Sequence, residues 1–249
     1  MEDEIARRAA AVVRTSRRAV ALTGAGISTP SGISDFRSPG SGLWNQVDPE
    51  RVASIQGFRR DPTAFYSWFG DTARQIYAAA PNPAHRALAE MEARGILCAV
   101  VTQNIDGLHH KAGSRRILEL HGHMLTASCL HCGHQVGAPP LLERYAREGL
   151  VPRCAECGGL IKPDVVLFGE MLPGDVLAEA HQEIARCDLL LVVGSSLTVA
   201  PAADLPWLAV QAHTPIIVCN RERTWVDRYT DLILRTDVAQ SLPALLPAE

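Results

Sequence analysis

Ala19-Val20-Ala21-Leu22-Thr23-Gly24-Ala25-Gly26 is the stretch that decides the fold: a short apolar strand over residues 19–22 runs directly into a glycine turn. Gly24 and Gly26 leave room for a backbone to approach a pyrophosphate closely, but Thr29 stands where a dinucleotide-binding turn has its third glycine. The acid expected about twenty residues further on has only Asp48 and Glu50 as candidates, both in an irregular stretch. A plain dehydrogenase is therefore disfavoured, and the turn taken alone is equally a simple tight turn.

Upstream, Ile5, Ala9, Val12 and Val13 mark one face of an amphipathic helix. Downstream, Asn82-Pro83 forms a cap and first-turn pair that opens a helix ending at Gly95. Residues 96–102 follow as an all-apolar strand whose continuity implies burial on both faces. A helix over about 175–186, a strand at 189–193, a helix past Pro201, a strand at 216–219 and a last strand near 232–234 continue the alternation. The pattern predicts an α/β fold with a doubly wound parallel sheet.

Two stretches break that rhythm. Residues 36–81 contain helical pieces, aromatics and Gly/Pro turns without a strand, and residues 123–162 carry two Cys pairs around one short helix near 141–147. Both read as insertions that build a second, smaller domain. The expected division is a large domain of residues 1–35, 82–122 and 163–249, with a helical module at 36–81 and a metal module at 123–162.

The chain has 249 residues, 47% of them apolar and 20% charged, which suits an ordinary globular core and not a disordered chain. A net charge of −3 without a long basic block argues against a nucleic-acid partner. The aliphatic runs at 96–101 and 189–193 are too short to span a bilayer, and the acidic Met1-Glu2-Asp3-Glu4 is not followed by an apolar leader, so a cytoplasmic protein without a membrane partner is expected.

Cysteine usage sharpens this. Of seven cysteines, Cys129, Cys132, Cys154 and Cys157 form two Cys-x-x-Cys pairs on either side of residues 133–153, a spacing just past that of a zinc ribbon, with Gly133 and Gly158-Gly159 suited to knuckle turns. Four thiolates close a tetrahedral site and leave no position for water, so a Zn2+ there is structural. His131 and His134 are rival ligands by proximity, but beside a complete Cys set they read as exposed neighbours. Cys98, Cys187 and Cys219 lie in or beside aliphatic segments and read as small buried hydrophobes, not nucleophiles.

Several further motifs occur in a fixed order: Gly24-Ala25-Gly26-Ile27-Ser28, Gly32-Ile33-Ser34-Asp35-Phe36-Arg37, Thr102-Gln103-Asn104-Ile105-Asp106-Gly107-Leu108-His109, His121-Gly122, the Cys quartet, Phe168-Gly169-Glu170 and Gly194-Ser195-Ser196-Leu197. In this the chain resembles the sirtuins, NAD-dependent protein-lysine deacylases, over essentially its whole length. The resemblance implies a Rossmann-like large domain joined to a helical and zinc-bearing small domain, with NAD as cosubstrate and acyl-lysine meeting in the cleft between them. It implies that nicotinamide leaves, the acyl oxygen attacks C1′ of the ribose, and the acyl group ends on ADP-ribose.

It also assigns roles. His121, which ends an apolar segment, is the expected general base, an imidazole being suited to take a proton from a ribose hydroxyl. Asn104 and Asp106 would orient the ribose and the carboxamide by hydrogen bonding. Gly24, Ala25, Gly26 and Thr29 would line the pyrophosphate turn. Phe36 would cover C1′, Arg37, Gln103 and Ile105 would meet the cofactor, and Gly194, Ser195, Ser196, Asn220 and Val238 would form the adenosine side. Helix or turn capping is the plainer reading of Ser195, Ser196 and Asn220.

An acyl-lysine peptide or protein is the implied partner. It would add as a strand between Phe168-Gly169-Glu170 and residues 197–201, with Val166, Leu197 and Val199 in contact. A monomer is favoured, with the oligomeric state open. Two departures bear on specificity: Ser34 stands where many sirtuins have Pro, and Tyr66-Ser67-Trp68-Phe69 puts Phe69 where desuccinylating members have Arg, so acetyl and apolar acyl groups are expected over succinyl. An NAD hydrolase or mono-ADP-ribosyltransferase is the alternative activity, and a non-enzymatic NAD or ADP-ribose binding module is the alternative class.

Overall fold

A computed structural model describes residues 2–35, 42 and 47–246. Helix α1 (Glu2–Thr15) turns Ala9 and Val13 inward, as their i, i+4 spacing requires, and strand β1 (Ala19–Thr23) is buried at every residue. Helices α2 (Pro49–Val52), α3 (Ile55–Arg60) and α4 (Pro62–Ala78) follow. Each starts at a side-chain cap: Asp48, Ser54 and Asp61 accept from the N–H groups of Glu50, Gly57 and Ala64. Asn82 likewise accepts from Ala84 N at 2.8 Å and opens α5 (Pro83–Ala93), the cap and first-turn pair expected from sequence.

Strand β2 (Leu97–Thr102), helix α6 (Leu108–Ala112) and strand β3 (Ile117–Glu119) complete the first half. The metal segment contributes β4 (Gly122–Cys129), β5 (Gln135–Gly137), α7 (Ala138–Glu148) and β6 (Ile161–Val165). The second half comprises α8 (Gly174–Arg186), β7 (Leu189–Val193), α9 (Pro206–Gln211), β8 (Ile216–Cys219), β9 (Ile233–Leu234) and α10 (Val238–Ala244).

The large sheet has six parallel strands in the order β3-β2-β1-β7-β8-β9. This is the doubly wound, Rossmann-like arrangement, and the strand order reverses between β1 and β7. Helices α1, α5 and α10 cover one face, while α8 and α9 cover the other. Because both faces are covered, β1, β7 and β8 carry unbroken apolar runs, which is why the sequence pattern exposed them. Among the described residues no helix is long and apolar enough to cross a membrane.

The second sheet is smaller, antiparallel and ordered β5-β4-β6. It is not evident in the sequence: β6 reads Ile-Lys-Pro-Asp-Val, and a proline is tolerated there because β6 is an edge strand. This sheet runs on to Val165, across the expected division at residue 162. Its packing joins the two insertions. Phe58, Phe65, Tyr66 and Phe69 of α3 and α4 share one core with Leu142, Tyr145, Val165 and Leu167. Phe65 meets Phe58 edge-on at 5.0 Å and stacks on Phe69 at 4.8 Å. Tyr66 and Tyr77 donate their hydroxyls to Ile161 O and Met124 O, tying helix to sheet.

Candidate functional site

The chain reversal between β1 and β7 opens a cleft of about 820 Å³, within the usual size range of small-molecule sites. Its floor depends on three glycines. Gly26 N donates to Gly194 O at 2.8 Å and Gly24 N to Val193 O at 3.1 Å, so the loops leaving β1 and β7 touch backbone to backbone. A Cβ on Gly26 would lie 2.8 Å from Gly194 Cα, and one on Gly194, whose φ is +59°, would lie 2.2 Å from Ile27 N. The close approach these glycines allow is first an approach of the protein to itself. Ala25 and Thr29 line the cleft beside them, with the Thr29 hydroxyl donating to Gly26 O.

Thr102 ends β2 and delivers Gln103, Asn104, Ile105 and Asp106 into the same cleft. Asn104 donates its amide to Gly24 O at 3.1 Å and to Ser28 Oγ at 3.2 Å. Ser28 donates to Asp106 Oδ2 at 2.6 Å, and Asp106 Oδ1 accepts from Leu108 N at 2.8 Å. Both carboxylate oxygens of this buried acid are thus engaged. Behind them lie His85 and His109, 5.0 Å apart between ring centres. His85 reaches Ser28 Oγ at 3.4 Å and His109 reaches Thr23 Oγ1 at 3.0 Å. Burial holds both rings neutral, pushing His85 down to about 4 and His109 to about 3.

The sequence assigns no role to Ser28, His85 or His109. Ser28 and His109 have a signal, their places in the motifs ending Gly26-Ile27-Ser28 and Gly107-Leu108-His109, whereas His85 reads from sequence as an ordinary first-turn helix residue.

His121 follows β3 and lines the same cleft. Its Nδ1 lies 2.8 Å from Gln103 O, a carbonyl that can only accept. The neutral ring therefore carries its proton on Nδ1 and its acceptor lone pair on Nε2, the tautomer a general base needs. Gln103 itself donates through Nε2 to Ser195 Oγ at 2.9 Å, linking the ends of β2 and β7.

Gly194, Ser195, Ser196, Asn220 and Val238, which follow β7 and β8 or open α10, line the cleft, as do Val166, Phe168, Gly169, Glu170 and Val199. Leu197 lies instead against a neighbouring hollow bounded by Trp207 and Trp225. Glu170 turns its carboxylate back to Leu167 N at 2.8 Å and Lys162 Nζ at 3.1 Å. Phe36 and Arg37 lie outside the described residues.

The four zinc candidates converge. Their sulfurs all lie within 4.8 Å of one another, with separations of 3.4 Å between Cys132 and Cys157, 3.5 Å between Cys129 and Cys157, and 3.7 Å between Cys132 and Cys154. Tetrahedral zinc with bonds of about 2.3 Å requires sulfurs about 3.8 Å apart, so the donor set fits and can hold zinc. His131 and His134 are exposed and outside the cluster. Cys187 and Cys219 are buried and Cys98 half-buried, and burial pushes their thiols up to about 12, 12 and 11, against a nucleophilic role.

The profile of the Sir2 family matches residues 24–201. NAD-dependent protein deacylase 2 of Archaeoglobus fulgidus is 48% identical over 247 residues, covering 99% of this chain and 96% of that protein. A structure from work on the mechanism and regulation of Sir2 enzymes superposes with a TM-score of 0.89 at 47% identity, over 98% of this chain and 97% of the other. A Sir2 protein bound to a myristoylated histone peptide superposes with a TM-score of 0.82 at 44% identity, over 98% and 95% of the two chains. The chain belongs to the Sir2 family.

Proposed function

We infer that the chain is an NAD-dependent protein-lysine deacylase and that the cleft between its two sheets is where the reaction occurs. The observation that carries this reading is His121, held by Gln103 O in the base-competent tautomer, in one cleft with Asn104, Asp106 and the β1–β7 glycine floor. The NAD-dependent deacylase from Archaeoglobus fulgidus and the acyl-peptide complex of a related structure support it.

The cleft fits NAD in size and in position, at the carboxyl ends of β1, β2, β7 and β8. When bound, NAD supplies a ribosyl carbon activated by nicotinamide as leaving group. Ala25 and Thr29 would border its pyrophosphate, and Ser195, Ser196, Asn220 and Val238 its adenosine. Asn104, its amide protons committed to Gly24 and Ser28, presents Oδ1 as an acceptor to the ribose. Asp106, fixed by Ser28 and Leu108, contributes a stationary negative charge near the reacting carbon. His121 Nε2 accepts the ribose hydroxyl proton, which allows the acyl group to move onto ADP-ribose.

The acyl-lysine peptide enters at the mouth as an added strand between 166–170 and 197–201. Val166 N is already donated to His121 O, so its carbonyl is the group available to the substrate amide. Ile33, Phe69 and Ile76 line the neighbouring wall, and Phe69 supplies no cation for succinyl. The helical and zinc modules form the small domain, the protein acts as a monomer, and its thiolate zinc site suits the reducing cytoplasm.

Mass spectrometry of the zinc-loaded protein with NAD and an acetyl-lysine peptide tests the reading. Equal yields of free lysine, nicotinamide and acetyl-ADP-ribose are expected. Nicotinamide and ADP-ribose beside an unchanged peptide would overturn it in favour of NAD hydrolysis.

A further inference from the structure

Lys162 is a lysine with almost no exposed surface, 7%, and it does not line the cleft. Its ammonium has three acceptors: Val165 O at 2.7 Å, Pro163 O at 3.1 Å and Glu170 Oε2 at 3.1 Å. A buried charge persists only when its geometry is satisfied in this way. All three partners lie between β6 and the end of the Phe168-Gly169-Glu170 segment, so the ammonium is the point around which that segment curls.

The curl has its own internal bonds. Glu170 N donates to Leu167 O at 3.0 Å, its Oε2 accepts from Leu167 N at 2.8 Å, and Gly169 supplies the left-handed turn at φ +84°. On the opposite side, Phe168 N donates to Ala53 O at 2.9 Å and Phe168 O accepts from Ile55 N at 3.0 Å, fixing the middle of the segment to the helical module. The Glu170 end has only Leu167 and Lys162 to hold its carboxylate among the contacts described.

We propose that Lys162 is a positioning residue for acyl-peptide docking: by gripping Val165 and Glu170 it holds residues 166–170 in the shape that pairs with an incoming peptide strand, while touching neither NAD nor peptide. The inference rests on the docking reading above. It also gives Glu170 a different task from a contact with substrate, since its carboxylate is already matched to an internal cation. Peptides with neutral or basic residues beside the acyl-lysine should therefore respond alike.

The test uses the full zinc-loaded chain with Lys162→Met, Glu170→Gln and the double variant. Peptide KM, NAD KM, kcat and direct binding of an acetyl-lysine peptide are measured. Loss of a charge-assisted tie is expected to raise peptide KM and Kd about tenfold in Lys162→Met and less in Glu170→Gln. The double variant should be no worse than Lys162→Met alone, with NAD KM and kcat held within about twofold.

Equal losses for NAD and peptide, a fall in kcat at unchanged peptide KM, or additive effects in the double variant would each overturn the proposal. If Lys162→Met fails to fold, Glu170→Gln decides alone, because its site is half-exposed: an unchanged peptide KM overturns the positioning role. Absence of peptide binding by the wild-type protein would remove the docking reading and this inference together, whereas wild-type KM in both variants removes the inference only.

Discussion

The two walls of the cleft are held together by different means. On the side of the six-stranded sheet, the loops after β1 and β7 rest on one another through glycine backbone, above strands buried on both faces. On the side of the smaller sheet, the segment of α3 and α4 meets that of β4–β6 and α7 through aromatic side chains, while four clustered thiols and the Lys162–Glu170 pair tie the second segment and its continuation to itself. The first wall is a property of strand order and resists local change except where a side chain cannot fit. The second depends on a few point attachments, each removable by one substitution or by a chelator. In the proposed reading, the surface that admits varied peptides is built on the more adjustable half, and the groups that would handle one invariant cofactor sit on the stiffer one.

Metal removal should divide the halves most sharply. A structural tetrathiolate zinc contributes on the order of 10 kcal/mol of apparent binding energy at neutral pH. Chelation of the holo-protein should abolish peptide deacylation and expose residues 123–162 to protease, while NAD binding largely survives. Full turnover in protein shown by elemental analysis to be metal-free would break the comparison.

His121→Ala should lower deacylation by about 10²–10⁴-fold with NAD affinity little changed, measured as turnover alongside calorimetric binding. Unchanged turnover would reject the base assignment. On the same wall, Gly194→Ala forces a Cβ to 2.2 Å from Ile27 N at a φ of +59°, and roughly 3 kcal/mol of stability should be lost, read as a fall in melting temperature. A wild-type melting point would mean the floor is more compliant than its backbone contacts indicate.

The smallest effect is acid sensitivity. Unfolded imidazoles take up protons below about pH 6.5, whereas burial keeps His85 neutral to about 4 and His109 to about 3. The unfolded state therefore binds more protons in that window, and stability falls as pH drops from about 6.5, by at most roughly 1.4 kcal/mol per unit for each ring. Melting curves between pH 7.5 and 5 should show the decline, and His109→Gln should flatten it. An unaltered slope in that variant would remove His109 from the account.

Legibility followed the same division. Residues 19–22, 96–102, 189–193 and 216–219 could be read as strands because burial on both faces leaves an unbroken apolar run, a local record of a global arrangement. The cap at Asn82 and the cysteine pairs were equally plain, since each is fixed by spacing of a few residues. The β5-β4-β6 sheet was not, because an edge strand containing Pro163 and two charged residues, Lys162 and Asp164, has neither alternation nor continuity to reveal it.

Within the site, motif order identified the residues that line the cleft, including His121, Asn104 and Asp106. It did not disclose the hydrogen bonds that give them their protonation and orientation. By itself, then, the sequence determined five of the six strands of the large sheet, its parallel class, the zinc donor set and the family, all recorded in local spacing or ordered motifs. Only the tertiary structure decided that Gly194 closes on Gly26, that Gln103 O sets the His121 tautomer, and that Lys162 neutralises Glu170. Those contacts join residues with no periodic relation along the chain, and their strength comes from a burial and geometry that exist only after folding.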